Sequence, residues 1–134
     1  MSSVCTGACV LGPAGLLKGR RGTTHWNSHD LLSNFGAIPT RGRVVRDGNP
    51  FTAGGVTAGI DFGLTMVAEL VGEAQAQVIQ LQLGYAPAPP FQSGTPESAP
   101  LSIVAAAKQR VAAIRKARES VIDALPASDL GRAS

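Results

Sequence analysis

The chain has 134 residues, 44% of them hydrophobic and 16% charged, with 16 glycines, 9 prolines and a net charge of +3. That length suits one domain with a modest core, and the composition is globular rather than disordered. No apolar run reaches the roughly 18 residues of a membrane span, the start lacks a signal-peptide pattern, and the basic charge is local, so no membrane or nucleic-acid partner is expected.

Residues 1–4 read as the end of a strand. Cys5 follows, then Gly7 and small or apolar residues at helical spacing, which predict a helix over 6–11. It ends near Gly12-Pro13 or continues, kinked, to Leu17. A side chain on so sharp a strand-to-helix turn is pushed out at the end of the sheet. The free N–H groups and partial positive charge of the helix N-terminus favour thiolate over thiol there. Cys5 is therefore a candidate nucleophile. Cys9, one turn on, reads as core. Two cysteines four apart make no disulfide framework, and both read as thiols of a reducing cytoplasm.

Gly22–Trp26 is short and β-rich. Ser28 is placed to cap a helix carrying Leu31, Leu32 and Phe35, which Gly36 closes. Arg43–Arg46 and Phe51–Ala53 flank Asp47-Gly48-Asn49, a hairpin-turn signal. Gly54-Gly55 reads as a tight turn needing positive φ, compatible with a close backbone approach to a ligand that rests mainly on the resemblance given below; it is not a dinucleotide fingerprint. The spacing then predicts a helix over Thr57–Val71 with Ile60, Leu64, Val67, Ala68 and Val71 as a buried stripe, and Gly72 as its stop.

Another helix is predicted over Glu73–Leu83, broken by Tyr85-Ala-Pro-Ala-Pro-Pro-Phe91. Residues 87–100, with five prolines, read as a loop. The last predicted helix is Leu101–Leu125. Its seam of Val104, Ala107, Val111, Ile114, Val121 and Leu125 is interrupted by Arg118, and packs on the body or on a second subunit. Lys108, Arg110, Arg115, Lys116 and Arg118 read as a solvated face. Residues 126–134 read as a loose tail.

Cys5, Cys9, His25 and His29 loosely fit a two-cysteine, two-histidine zinc spacing. The cysteines precede a helix and His25 lies in a β-rich segment, so no metal site is expected. His29 reads as an exposed helix residue; His25 is left open between a structural histidine and an active-site neighbour. Asp61 and Glu69 read as capped or solvent-facing rather than catalytic. Strands alternating with helices indicate α/β with a mainly parallel sheet of three or four strands, part of a sheet rather than a whole one.

The segments Ser3-Val-Cys-Thr-Gly-Ala-Cys-Val-Leu-Gly-Pro-Ala-Gly-Leu-Leu17, Thr23-Thr-His-Trp26 and Val44-Val-Arg-Asp-Gly48 resemble the ThiJ/PfpI superfamily, which has the class I glutamine amidotransferase-like fold. Gly54-Gly-Val-Thr-Ala-Gly-Ile-Asp-Phe62 and Gln80-Leu-Gln-Leu-Gly-Tyr-Ala-Pro-Ala-Pro-Pro-Phe91 look like its isonitrile hydratase branch. The resemblance runs from residue 3 to about 125. It implies a flavodoxin-like sandwich lacking its N-terminal strands, with residues 1–100 and the helix 101–125 in one domain. It further implies a cytoplasmic homodimer without cofactor that acts on a small-molecule isonitrile.

By the same resemblance Cys5 is the nucleophile, Thr6 supplies a hydroxyl and an N–H beside it, and His25 follows the next strand near the elbow. Gly54, Gly55, Val56 and Tyr85 fall at pocket positions; Tyr85 is alternatively an anchor for the proline loop. Two departures stand out. The family's partner carboxylate precedes the position of Met1, and here the first acidic residue is Asp30. Gly84 also stands where the branch carries a charged residue.

Three readings follow. The leading one is an isonitrile hydratase-like lyase that hydrates R–N≡C to an N-substituted formamide, active only when the remaining half of the fold is supplied. The alternative is a non-catalytic regulatory or redox-sensing module of the same superfamily, with Cys5 as an oxidisable thiol. The third is a truncated product without activity, its helix 57–71 stripped of cover.

Overall fold

The computed structural model describes residues 1–130. Among the described residues five short strands and four α-helices form an α/β fold, in which one strand and the first helix are followed by four strands and then three helices. Strand β1 (Ser2–Val4) runs through a 3-10 turn (Cys5–Gly7) into helix α1 (Ala8–Leu11). Strands β2 (Arg21–Gly22) and β3 (Ile38–Pro39) bracket the turns Trp26–Ser28 and Asp30–Phe35. The hairpin β4 (Val44–Arg46) and β5 (Phe51–Ala53) leads to α2 (Ala58–Leu70), α3 (Glu73–Leu83) and the long α4 (Leu101–Asp123).

The main sheet has order β1-β5-β4. β1 is parallel to β5, with Val4 beside Ala53, while β4 is antiparallel to β5, as the Asp47-Gly48-Asn49 turn requires. β2 and β3 form a separate parallel pair. The main sheet is thus mixed, two of the three strand pairings among the described residues are parallel, and there is one strand more than expected. β3 carries no alternation signal because it is two residues long and includes a proline.

The Asp30–Phe35 turn buries Leu31, Leu32 and Phe35, and Gly36 closes it in the left-handed region. Ser28 is not its cap. It ends the preceding turn, fully buried. Ala8, Leu17, Leu32 and Ala37 pack as one core cluster, and Leu31 and Phe35 pack with Ile122 and Leu130 as a second. Leu130 therefore ties down residues 126–130 of the segment expected to be a loose tail; residues 131–134 lie outside the described residues.

Two helix faces differ from expectation. On α2 only Ala58 is buried; Ile60 and Val71 are exposed and Leu64, Val67 and Ala68 half-buried. Periodicity identifies the face that wants cover, not whether cover is present. On α4 Val104, Ala107, Val111 and Leu125 of the expected seam are half-buried, but between them the inward face is rotated: Ile114 and Val121 are exposed, while Arg115 and Arg118 are half-buried and Ile122 is buried. These two arginines therefore do not belong to a solvated face.

Arg115 explains the rotation. Its two terminal nitrogens each bond Asp30 at 2.7 Å, one of them also reaches the Asn27 carbonyl at 2.6 Å, and Nε meets Glu119. The Arg115 hydrogen bonds hold the Asp30 carboxyl below the usual aspartate range. A depressed folded value stabilises above the ordinary value near about 4. That contribution is lost as pH falls through the lowered folded value. Asp30 is largely exposed, so the contribution is below about 1 kcal/mol. Thermal melts from neutral to acid pH are expected to show a smaller acid-induced drop for Asp30→Asn than for wild type; superimposable pH dependences would remove this role.

Candidate functional site

The two parallel strands β1 and β5 end side by side, so Cys5 and Gly54 leave the sheet together at its carboxyl edge. In open α/β sheets that edge is where ligands bind. Cys5 has φ +55°, and among the described residues it is the one non-glycine with positive φ. A side chain in this region is strained by about 1–3 kcal/mol and persists only when its surroundings enforce it. Here the enforcement is visible. The Thr24 hydroxyl donates to the Cys5 carbonyl at 2.6 Å. Thr23 and Thr52 are buried, and the Thr23 N–H donates to Thr52 Oγ1 at 2.9 Å, pinning the 23–25 segment over β5.

Neither Gly54 nor Gly55 has positive φ. A Cβ on Gly54 would sit 3.4 Å from the Gly42 carbonyl and 3.8 Å from those of Arg43 and Thr24. These are ordinary van der Waals distances, so the surrounding carbonyls pack closely on Gly54 without excluding a Cβ. A Cβ on Gly55 would lie 3.9 Å from His25 Cδ2, so the imidazole edge faces this turn. His25 Nδ1 accepts from the Asn27 N–H at 3.3 Å, which leaves the proton of a neutral ring on Nε2. Burial first, and the Arg118 guanidinium second, pull the His25 pKa down.

The other thiol has a different setting. Cys9 is half-buried, and burial pushes its pKa up against the opposing pull of Arg118 and a hydrogen bond with Thr24. Thr24 thus links the Cys5 carbonyl and the Cys9 side chain, a role that no local pattern announced. Thr6 lies in the Cys5–Gly7 turn, half-buried. His29 is half-buried rather than exposed. No group of three or more potential metal ligands is assembled among the described residues.

Val56 is exposed on the approach to α2. Tyr85 donates its hydroxyl to Asp61 Oδ1 at 3.0 Å, while Arg43 holds Oδ2 of the same carboxylate and Arg46 pairs with Glu69. Tyr85 is thereby an anchor on the first turn of α2. An open cleft of about 970 Å³ between α2 and α3 includes Tyr85 but none of Cys5, His25, Gly54 and Gly55. Gly84 closes α3 with φ +61°, which accounts for glycine where a charged residue was expected.

A strained cysteine thus stands at the carboxyl edge of a small α/β sheet, with a glycine turn and a histidine edge close by. Residues 1–69 match the DJ-1/PfpI family, and the chain belongs to that family. It is 59% identical over 123 residues to an isonitrile hydratase of Pseudomonas putida, an alignment covering 92% of this chain and 54% of that protein. It is similar to the crystal structure of a ThiJ/PfpI family protein from Pseudomonas syringae, with TM-score 0.85 and 49% identity, over 90% of this chain and 50% of that one. An HTH-type transcriptional regulator, CdhR of Pseudomonas aeruginosa, is 33% identical over 84 residues, 61% of this chain and 25% of its own length. The chain spans about half the length of the isonitrile hydratase that it matches.

Proposed function

We propose that this chain carries the cysteine half of an isonitrile hydratase. The observation that carries the reading is the strained Cys5, φ +55°, beside the Gly54-Gly55 turn, in a chain 59% identical to an isonitrile hydratase. In this reading the Cys5 thiolate attacks the terminal carbon of R–N≡C, that carbon takes up a proton, and a thioimidate R–N=CH–S–Cys5 forms. Water adds to the same carbon. The C–S bond then breaks, nitrogen is protonated, and R–NH–CHO leaves with the thiolate restored. The balance needs water alone, so no cofactor or metal is assigned.

Thr6 beside the sulfur, His25 facing the Gly54-Gly55 turn, and Val56 and Tyr85 near the start of α2 are the proposed surroundings of the substrate. A homodimer in the cytoplasm is part of the same proposal. Among the described residues no helix is long and apolar enough to cross a membrane.

The test is formamide production from an alkyl isonitrile, followed by proton NMR. It is run on the 134-residue chain, and again with the polypeptide equivalent to the unaligned part of the Pseudomonas putida protein supplied in trans. Formamide in either preparation supports the reading; none in both overturns it. The similarity to a transcriptional regulator supports a second reading, a non-catalytic redox-sensing module. Selective oxidation of Cys5 by dilute peroxide without isonitrile turnover would favour it.

A further inference from the structure

Three buried threonines, Thr23, Thr24 and Thr52, tie the segment after β2 to β5 and to Cys5. Thr52 of β5 donates its hydroxyl to the Val45 carbonyl at 3.2 Å, and the same oxygen accepts the Thr23 N–H at 2.9 Å. The Thr23 hydroxyl donates to the Gly42 carbonyl at 3.2 Å. Residue 23 is thus held through both its backbone and its side chain. Thr24 follows directly, and its hydroxyl has a single proton, which it gives to the Cys5 carbonyl at 2.6 Å. That acceptor belongs to the one non-glycine residue with positive φ among the described residues. Buried hydroxyls whose partners are all in place rigidify what they join.

We propose that Thr24 is a positioning residue for Cys5: by holding the Cys5 carbonyl, its hydroxyl fixes the Cys5–Thr6 peptide and keeps Cys5 in the left-handed conformation. A residue with a Cβ leaves that conformation for an ordinary one unless its surroundings prevent it. Valine at position 24 would have nearly the shape of threonine but no donor, so it separates the hydrogen bond from the packing. The Cys5–Thr6 peptide is trans, so the Thr6 N–H points opposite to the Cys5 carbonyl and therefore away from Thr24. One bond thus sets the direction of the Cys5 side chain and of the N–H that follows it. A fixed N–H next to a nucleophile suits charge that builds on the substrate as the carbon is attacked. That use of the N–H rests on the hydratase reading; the hold of Thr24 on Cys5 does not.

The experiment is a stability cycle on the full chain. Cys5→Ala keeps the Cβ that strains the turn and Cys5→Gly removes it, and each is made with Thr24 and with Thr24→Val. With Thr24, Cys5→Gly is expected to melt at the higher temperature. With Thr24→Val the turn relaxes, and that advantage is expected to shrink or vanish. A general loss of stability in Thr24→Val lowers both members of the pair alike and does not imitate this result. An undiminished advantage in the Thr24→Val pair overturns the inference, as does the lack of an advantage with Thr24.

Alkylation by iodoacetamide gives a second readout, with peptide mass spectrometry separating Cys5 from Cys9. Cys5 is expected to react more slowly in a folded Thr24→Val chain and near the wild-type rate in Thr24→Ser, which keeps the donor. Equal Cys5 rates in wild type and Thr24→Val overturn the inference. If Thr24→Val does not fold, the Thr24 hydroxyl proton of wild type decides by NMR. A proton protected from exchange and close to the Cys5–Thr6 peptide supports the inference, and one that exchanges like an exposed hydroxyl overturns it. In a preparation that makes formamide, Thr24→Val is expected to lower kcat by up to about a hundredfold with KM little changed, the scale of a misplaced reacting group. A diminished advantage in the stability cycle with an unchanged kcat would keep the Thr24–Cys5 link and remove the strained turn from the hydratase reading.

Discussion

Cys5→Ala should lose formamide production by at least about a thousandfold, the scale on which a covalent nucleophile is missed when its surroundings remain. Cys9→Ala should stay within a few-fold of wild type, because burial keeps the Cys9 thiol protonated and its visible contact is with the Thr24 hydroxyl. Equal turnover by Cys5→Ala and wild type would end the covalent mechanism. A second comparison is independent of turnover. Cys5→Ala keeps a Cβ at φ +55° and Cys5→Gly does not. Neither variant has the thiol, so their difference in stability isolates the backbone strain. Cys5→Gly is expected to be the more stable by about 1 kcal/mol, read from thermal or denaturant unfolding. A stabilised but inactive Cys5→Gly chain would mean that the fold holds this turn at a cost which only the sulfur's chemistry repays. Equal stabilities would mean that the turn is relaxed and that the elbow carries no strain.

The elements legible in the sequence are those whose signals are local. The Asp47-Gly48-Asn49 hairpin, the left-handed stop at Gly36, the end of α2 near Gly72 and the bounds of α3 and α4 all follow from turn residues or helical spacing within a few positions. The strand-to-helix turn at Cys5 was legible for the same reason, since Ser3 to Cys9 contains both the strand and the start of the helix. What was not legible is set by contacts between distant segments. Arg115 and Arg118 turn inward because Asp30 and Ser28 wait 85 and 90 residues earlier in the chain. Nothing in the charge pattern of α4 separates them from Lys108 or Lys116. Thr24 is likewise an ordinary β-type residue until its hydroxyl meets the Cys5 carbonyl. The buried stripe predicted for α2 failed differently: the apolar spacing is present, but Ile60 and Val71 meet solvent. The glycines at 54 and 55 were read for backbone freedom, yet neither has positive φ; a glycine can instead be required for space.

Gly12 carries that distinction to its largest consequence for stability. It caps α1 at φ −58°, ψ −62°, a helical conformation open to any residue, and local propensity favours alanine over glycine there by up to about 1 kcal/mol. Packing says the reverse. A Cβ on Gly12 would stand 2.3 Å from Phe35 Cδ2, 2.4 Å from Cγ and 2.9 Å from Cε2. Phe35 is 1% exposed and is fixed among Leu31, Ile122 and Leu130, so its ring has nowhere to retreat. Gly12→Ala is therefore expected to destabilise the chain by about 2–3 kcal/mol, the upper range of overpacking. That corresponds to a fall of roughly 10 °C in Tm. Because Phe35 bridges α1 and α4, the variant should also loosen the docking of Ile122 and Leu130. Phe35→Leu, costly in the wild-type background, should cost less or nothing once Gly12 is alanine, giving a coupling of at least about 1 kcal/mol in a double-mutant cycle. Unchanged or raised stability in Gly12→Ala would mean that propensity governs this position. Strict additivity in the cycle would mean that the loss arises somewhere other than the Gly12–Phe35 contact.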